Sequence, residues 1–165
     1  MLDLKMPTAF TKLNGGWNAE PNGHEPRISA DRGDLLFRFL LNILLYPEYQ
    51  AAEAGVLRFR DCWRYRLGIT NDEGWYRGQC RFSRLAPKWG EFYEVHGDLL
   101  LDATPNREAF LVRGIQLEPD PLEWVTIGKP GLISRHFLFY LRDQTFECDA
   151  SDWAFSVIWK VQPDH

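Results

Sequence analysis

The chain has few cysteines and no long uninterrupted apolar run. Its three cysteines, Cys62, Cys80 and Cys148, are an odd number at wide spacing, which fits neither a disulfide scaffold nor a paired metal-ligand motif. A chain of this size without a disulfide framework is typical of a reducing compartment, so we predict a cytoplasmic protein. The longest apolar-rich stretch, residues 35–46, is interrupted by Arg38 and Asn42 and is too short to span a bilayer. We therefore expect no membrane insertion.

Motifs for catalysis and for cofactors are also missing from the sequence. It has no phosphate-binding glycine loop, no nucleophile elbow and no paired-histidine zinc motif. We therefore predict no cofactor and no metal. The net charge of −4 disfavours general binding to nucleic acid.

Aromatic residues are abundant instead. The 165 residues include 7 Trp, 6 Tyr and 11 Phe, which make up 15% of the chain. Such residues are enriched in strands and dominate small β cores. The hydrophobic share of 45% and the charged share of 25% are typical of a globular protein. We predict a single globular β-rich domain over residues 1–165.

A period of two runs through residues 56–101 and predicts three consecutive antiparallel strands, over residues 57–67, 75–83 and 93–101. In the first of them, arginines occupy the even positions 58, 60, 64 and 66, whereas the apolar residues occupy odd positions. Those apolar residues are Leu57, Phe59, Trp63, Tyr65 and Leu67. On this pattern one face of the strand is buried and the arginine face is wet.

The remaining segments complete a mainly antiparallel β fold. Further strands are predicted over residues 27–30, 108–116, 133–142, 146–149 and 153–159. Residues 35–45 fit a strand by their alternation and a helix by their polar spacing, and the preceding turn favours the strand. Residues 47–54 begin with a proline and are followed by Gly55, as is typical of helix starts and ends, and they predict one short helix. The fold class is therefore an antiparallel β-barrel or β-sandwich with one short helix.

The alternation also predicts a core and an anchor for the N-terminal segment. Trp17 is expected to fix residues 1–24 to the core by burying its large side chain. Cys148 shares a face with Phe146 and is expected to be buried and inert. The predicted core residues are Trp63, Tyr65, Tyr76, Phe82, Val95, Phe137, Phe139 and Trp153.

The arginine row is the strongest candidate for a ligand site. Alternate residues on a strand lie about 7 Å apart on one face, so several guanidinium groups together could grip a carboxylate or phosphate. The competing interpretation is a solvated face whose charges are neutralised by Glu94 and Asp98. The candidate ligand-binding residues are Arg58, Arg60, Arg64, Arg66, Arg77 and Arg81.

A second candidate is an acid–base pair of His96 and Glu94, with Arg77 lining a pocket beside them. An exposed histidine among acids is the alternative for His96. For His136 the apolar strand around it predicts a hydrogen-bonded residue at the core edge. A metal site of His96, His136 and Cys148 rests on no spacing rule.

We predict a non-enzymatic module that binds a small, possibly anionic, ligand or a protein partner. The alternative is a β-barrel enzyme that uses acid–base chemistry in a pocket lined by Arg, Glu and His. The sequence leaves the oligomeric state and the identity of any ligand open.

Overall fold

A computed structural model describes residues 8–23, 25–68, 88–97, 124–141 and 144–161. Ten strands in these residues form two antiparallel sheets. The strands are β1 (Ala9–Lys12), β2 (Arg27–Asp31), β3 (Asp34–Phe39), β4 (Ala52–Arg60), β5 (Arg64–Gly68), β6 (Phe92–His96), β7 (Val125–Thr126), β8 (Arg135–Tyr140), β9 (Thr145–Ala150) and β10 (Asp152–Trp159). The predicted mainly antiparallel β fold is confirmed.

One sheet has six strands in the order β1-β6-β8-β9-β5-β7, and the other has four in the order β10-β4-β3-β2. Neither sheet closes on itself among the described strands, so the structure is sandwich-like and the barrel alternative is not supported. No described helix is long and apolar enough to cross a membrane.

Aromatic side chains from both sheets fill the space between them. Phe37 of β3 lies 5.5 Å from Phe139 of β8 between ring centroids, and Phe59 of β4 lies 5.4 Å from Phe137. Trp17 is buried and stacks on the ring of Phe155 at 4.3 Å, as expected of an anchor. Burying each such ring stabilises the fold by about 1.5–3 kcal/mol.

The predicted core is confirmed in part. Phe137 and Phe139 are buried in the core between the sheets, and Tyr65 and Trp153 are partly buried and pack against it. Val95 is buried in a second cluster with Leu138. Trp63 is also half-buried, and Cys148 is fully buried as expected. The predicted core residues Tyr76 and Phe82, together with Cys80 and the predicted strands over 75–83 and 108–116, lie outside the described residues.

The predicted single strand over residues 57–67 is wrong, because the chain turns a corner within it. Strand β4 ends at Arg60 in the four-stranded sheet, and β5 begins at Arg64 in the six-stranded one. Asp61 at the corner has a left-handed φ of 49°. Asp61 is also the one polar residue at an odd position of this stretch, which is the sequence signal that marks the break. Cys62 has an even position number like the arginines, but it is buried in the core.

The predicted helix over residues 47–54 is shortened to a single 3-10 turn at Pro47–Tyr49. Ala52 and Ala54 after it belong to β4, which pairs with β3 and β10 on its two sides. Pairing in the sheet thus overrides the helix preference of a short segment. The predicted strand over 35–45 is confirmed as far as Phe39, and Leu41 then forms an isolated bridge with Ala19.

Candidate functional site

The predicted arginine row is divided between the two sheets. Arg58 and Arg60 lie on β4, whereas Arg64 and Arg66 lie on β5. They therefore do not form one face of one strand. The remaining two members of the predicted set, Arg77 and Arg81, lie outside the described residues. Anion binding by these arginines stays a prediction.

On β4 the arginines lie on the outer face of the four-stranded sheet. Arg58 donates to Asp34 at 2.7 Å and to Asp31 at 3.0 Å. These hydrogen bonds, to Asp34 and then to Asp31, raise the pKa of Arg58. The face is salt-bridged, as the competing interpretation expects, but through Asp31 and Asp34 rather than through Glu94. Arg60 is exposed and makes no ion pair with the described residues.

On β5 the arginines belong to a buried group of charges, which we call the His136 cluster: Arg64, Arg66, His136, Glu147 and Asp149. The six-stranded sheet holds them on the face that points away from the other sheet, because they alternate with core residues such as Tyr65, Phe137 and Cys148. Arg66 is 1% exposed and Glu147 is fully buried. The prediction that Arg66 lies on a wet face is therefore wrong.

His136 lies at the centre of this cluster. Its Nδ1 lies 2.8 Å from Asp149 and its Nε2 lies 2.7 Å from Glu147. Arg64 donates to Asp149 at 2.6 Å, and Arg66 donates to Glu147 at 3.2 Å. The expectation that His136 is hydrogen-bonded is confirmed.

The contacts of His136 favour its charged form. A neutral imidazole has one donor and one acceptor, whereas both ring nitrogens here face carboxylate oxygens and so both donate. Burial lowers the pKa of His136, but the hydrogen bonds and charges of Asp149 and Glu147 outweigh burial and raise it. Burial likewise raises the pKa of Asp149, and its contacts with His136 and Arg64 outweigh that effect and lower it.

The cluster contains residue types found in catalytic centres, but its side chains are mostly inaccessible to a substrate. All its members except Arg64, whose side chain is 31% exposed, are buried. The thiol of Cys148 lies on the opposite face of the sheet, and burial raises its pKa. None of the described clefts is lined by a member of the cluster. The charges therefore neutralise one another inside the protein.

The second candidate, Glu94 with His96, lies on the same face of β6 as the core residue Phe92, and Glu94 pairs in register with Phe137. Arg135 holds the Glu94 carboxylate at 2.6 and 3.0 Å, and this hydrogen bonding lowers the pKa of Glu94. The side chain of His96 is 51% exposed and lies 3.9 Å from Glu94. This arrangement matches an exposed histidine among acids. Neither residue lines a described cleft.

The conceivable metal site of His96, His136 and Cys148 is not assembled. His96 is exposed at the end of β6, and His136 and Cys148 project from opposite faces of the six-stranded sheet. The described part of the chain contains no group of three His, Cys, Asp or Glu residues that could hold a metal ion.

Three adjoining clefts of about 180, 270 and 150 Å³ lie at one end of the sandwich. Neighbouring clefts share Leu40 and Glu20 among their lining residues. Arg27 and Arg38 line the largest of these three clefts, and Arg38 is paired with Glu53 at 3.0 Å. These arginines were missed at the sequence level because they come from separate strands with no shared spacing.

A second surface, which we call the Trp63 loop, comprises residues 127–134 between β7 and β8. The carbonyl of Trp63 accepts hydrogen bonds from the amides of Ile127 at 2.8 Å and Gly128 at 3.1 Å. The indole of Trp63 donates to Ser134 Oγ at 3.0 Å. One residue thus fastens both ends of the loop. The loop itself is exposed throughout, and Leu132 is fully exposed at its tip.

Arg64 packs against two aromatic rings at the base of the Trp63 loop. The guanidinium of Arg64 lies 4.5 Å from the ring centre of Trp63 and 4.2 Å from that of Trp124. Such cation–π contacts stabilise a partly exposed site by about 0.5–2 kcal/mol each. Because Arg64 also pairs with Asp149, it joins the loop base to the His136 cluster.

No protein family model, no characterised protein and no solved structure matches this chain.

Proposed function

We propose that this chain is a non-enzymatic binding module that docks a protein partner through the Trp63 loop. The observation that carries the proposal is the exposure of Leu132 and Ile133, the latter 65% exposed, on a loop with both ends fastened to Trp63. Exposed apolar residues in a group are typical of protein–protein contact sites. Val125 and Ile127 extend the apolar surface toward the edge of the sheet.

The fastening of the loop favours binding energetically. A loop that is already ordered loses less conformational entropy when it docks, so more of the contact energy appears as affinity. Trp63 is itself fixed, because its amide donates to the Asp149 carbonyl at 3.0 Å. The aliphatic tip is thus presented from a rigid sheet, as in other proteins whose binding loops are carried by a scaffold.

The other predicted functions have less support from the contacts. A small anion on the predicted arginines would compete with carboxylates that already engage Arg58 and Arg64. An acid–base enzyme needs a titratable group beside a cleft. His96 is instead on the surface, and His136 is enclosed by its two carboxylates.

The test uses a photo-crosslinking residue in place of Leu132, in an extract of the cells that make the protein. The matched control places it at Leu44, which is 87% exposed in a separate turn. We expect a discrete cross-linked partner from position 132 and not from position 44. The partner is then purified, and its Kd is measured against the wild type, Leu132→Ser with Ile133→Ser, and Leu44→Ser.

We expect the double variant to bind the partner about tenfold or more weakly, which is the effect of losing a central apolar contact. Leu44→Ser should bind as the wild type does. Equal cross-linking from both positions, or equal affinity of the double variant and the wild type, would remove the Trp63 loop as the docking surface. Unchanged melting temperatures show that the variants are folded.

A further inference from the structure

β10 is an edge strand of the four-stranded sheet in the described part of the chain. Among the described strands β10 pairs with β4 alone. The amide of Lys160 donates to the Ala51 carbonyl on the β4 side, whereas the amide of Trp153 donates to its neighbour Asp152. Because backbone groups alternate in direction along a strand, the amides and carbonyls of Phe155 and Val157 point outward at this edge.

This edge is less protected than the opposite one. Proteins usually blunt open strand edges with charged residues, proline or short length. Strand β2 at the far edge has five residues, begins at Arg27 and follows Pro26. Strand β10 has eight residues, and its centre, residues 154–157, carries neither charge nor proline.

We propose that β10 pairs antiparallel with β10 of a second copy of this chain, about a two-fold axis at Ser156. Residues directly opposite each other in such a pair share a face of the sheet. With the axis at Ser156, Phe155 exchanges backbone hydrogen bonds with the partner's Val157. The two four-stranded sheets then continue as one sheet across the axis.

Side-chain complementarity selects this register. It places Asp152, which Arg135 of the same copy contacts at 3.1 Å and whose side chain is still 58% exposed, opposite the partner's Lys160 at both ends of the joint. Opposite charges facing across a sheet are favourable. On the core side it places Trp153 opposite the partner's Trp159, and Trp159 is 53% exposed in the single copy. A shift of the axis to Phe155 or Val157 would remove both pairings.

Cysteine pairs test the register directly. In the proposed dimer the two copies of residue 156 form a non-hydrogen-bonded pair with Cα atoms about 4.5 Å apart, within the range that a disulfide spans. The two copies of residue 154 lie four positions out of register, about 13 Å apart. Under mild oxidation we expect Ser156→Cys to form a cross-linked dimer, and Ala154→Cys to match the background of the unsubstituted protein. Equal cross-linking of both variants would overturn the register.

Charged substitutions of Ser156 test the dimer without a cross-link. Ser156 is exposed in the single copy, so Ser156→Lys and Ser156→Glu should leave its fold and melting temperature intact. At the axis each variant places two like charges directly opposite, which should weaken dimerisation about fivefold or more in sedimentation equilibrium. A mixture of the two variants should dimerise again as a heterodimer, because opposite charges then face each other at the axis. A wild type that stays monomeric at all concentrations, or a Ser156→Lys variant that dimerises as the wild type does, would refute the proposal.

Discussion

The outer faces of the two sheets carry the same kinds of residue in opposite environments. On the four-stranded sheet, Arg58 bridges Asp31 and Asp34 with its side chain 37% exposed. On the six-stranded sheet, Arg66 pairs with Glu147, and the side chains are 1% and 0% exposed. Water competes for the first set of contacts and is excluded from the second.

This difference changes what an ion pair contributes to stability. An exposed pair contributes about 0–1 kcal/mol, because water and salt screen it. A buried pair contributes little over an apolar replacement of both partners, but removal of one partner leaves an uncompensated charge at a cost of about 3–5 kcal/mol. We therefore expect single substitutions of charged residues to cost much more stability on the six-stranded sheet than on the four-stranded sheet.

The largest expected effect comes from Glu147→Gln, which removes a buried negative charge between Arg66 and His136. We expect the free energy of unfolding to fall by about 3–5 kcal/mol. The matched control is Glu53→Gln, which removes the exposed partner of Arg38 and should change stability by at most about 1 kcal/mol. Urea unfolding measures both. Equal losses in the two variants would mean that the two faces do not differ as described.

Phe139→Ala measures the apolar core that both faces enclose. Phe139 is fully buried and lies within 6 Å of the rings of Phe37 and Trp17. Truncation of a buried phenylalanine costs about 3–5 kcal/mol, so this variant should lose about as much stability as Glu147→Gln. The melting temperature is the readout. An unchanged value would show that this ring does not belong to the cooperative core.

A smaller effect is expected from pH. The pKa of His136 is raised by Asp149 and Glu147 on β9, with Arg64 and Arg66 of β5 and the ring of Trp124 also nearby. Because the folded-state pKa lies above the unfolded value, this stabilisation is fully present below pH 6.5 and is lost as the pH rises through the raised pKa.

Urea unfolding at a series of pH values measures this dependence, whose slope reaches at most about 1.4 kcal/mol per pH unit for one proton. His136→Gln should abolish the slope above pH 6.5. His96→Gln serves as the control, because His96 is half exposed and lies outside the cluster. If His136→Gln kept the wild-type slope, the imidazolium would not be its source.

The smallest effect is expected from Arg58→Gln on the exposed face. Removal of its contacts with Asp31 and Asp34 should lower the melting temperature slightly in low salt. In high salt the difference from the wild type should disappear, since the salt screens exposed charges over a few ångströms. A large loss of stability that persisted in high salt would place this arginine among the buried ion pairs.

The sequence predicts the strands better than it predicts their environment. Alternation located β10 and the first part of β3, because each buries one face against the other sheet. It missed β1, which has four residues and one half-buried position. The alternation also predicts one unbroken strand through the corner at Asp61, because the arginines on both sides of the corner have the same spacing.

The candidate site was predicted less well for a related reason. Alternation with a period of two assigns residues to opposite faces of a sheet. It does not show whether the face that points away from the core is exposed or buried. Arg66 was therefore expected in water, and Glu147 and Asp149 were not connected to His136. One available signal was the presence of these two acids at alternate positions of β9, a short strand otherwise rich in apolar residues.

The pairing of β10 with β4 has a consequence for how the protein is made. Asp152 pairs with Arg60, so the two strands are separated by 92 positions along the chain. At about 5–20 residues per second, a ribosome needs on the order of 5–20 s to synthesise the intervening segment. During that time β4 has emerged without its final neighbour and presents an open edge. Until β10 is made, the open edge of β4 is therefore available for mispairing and for capture by chaperones.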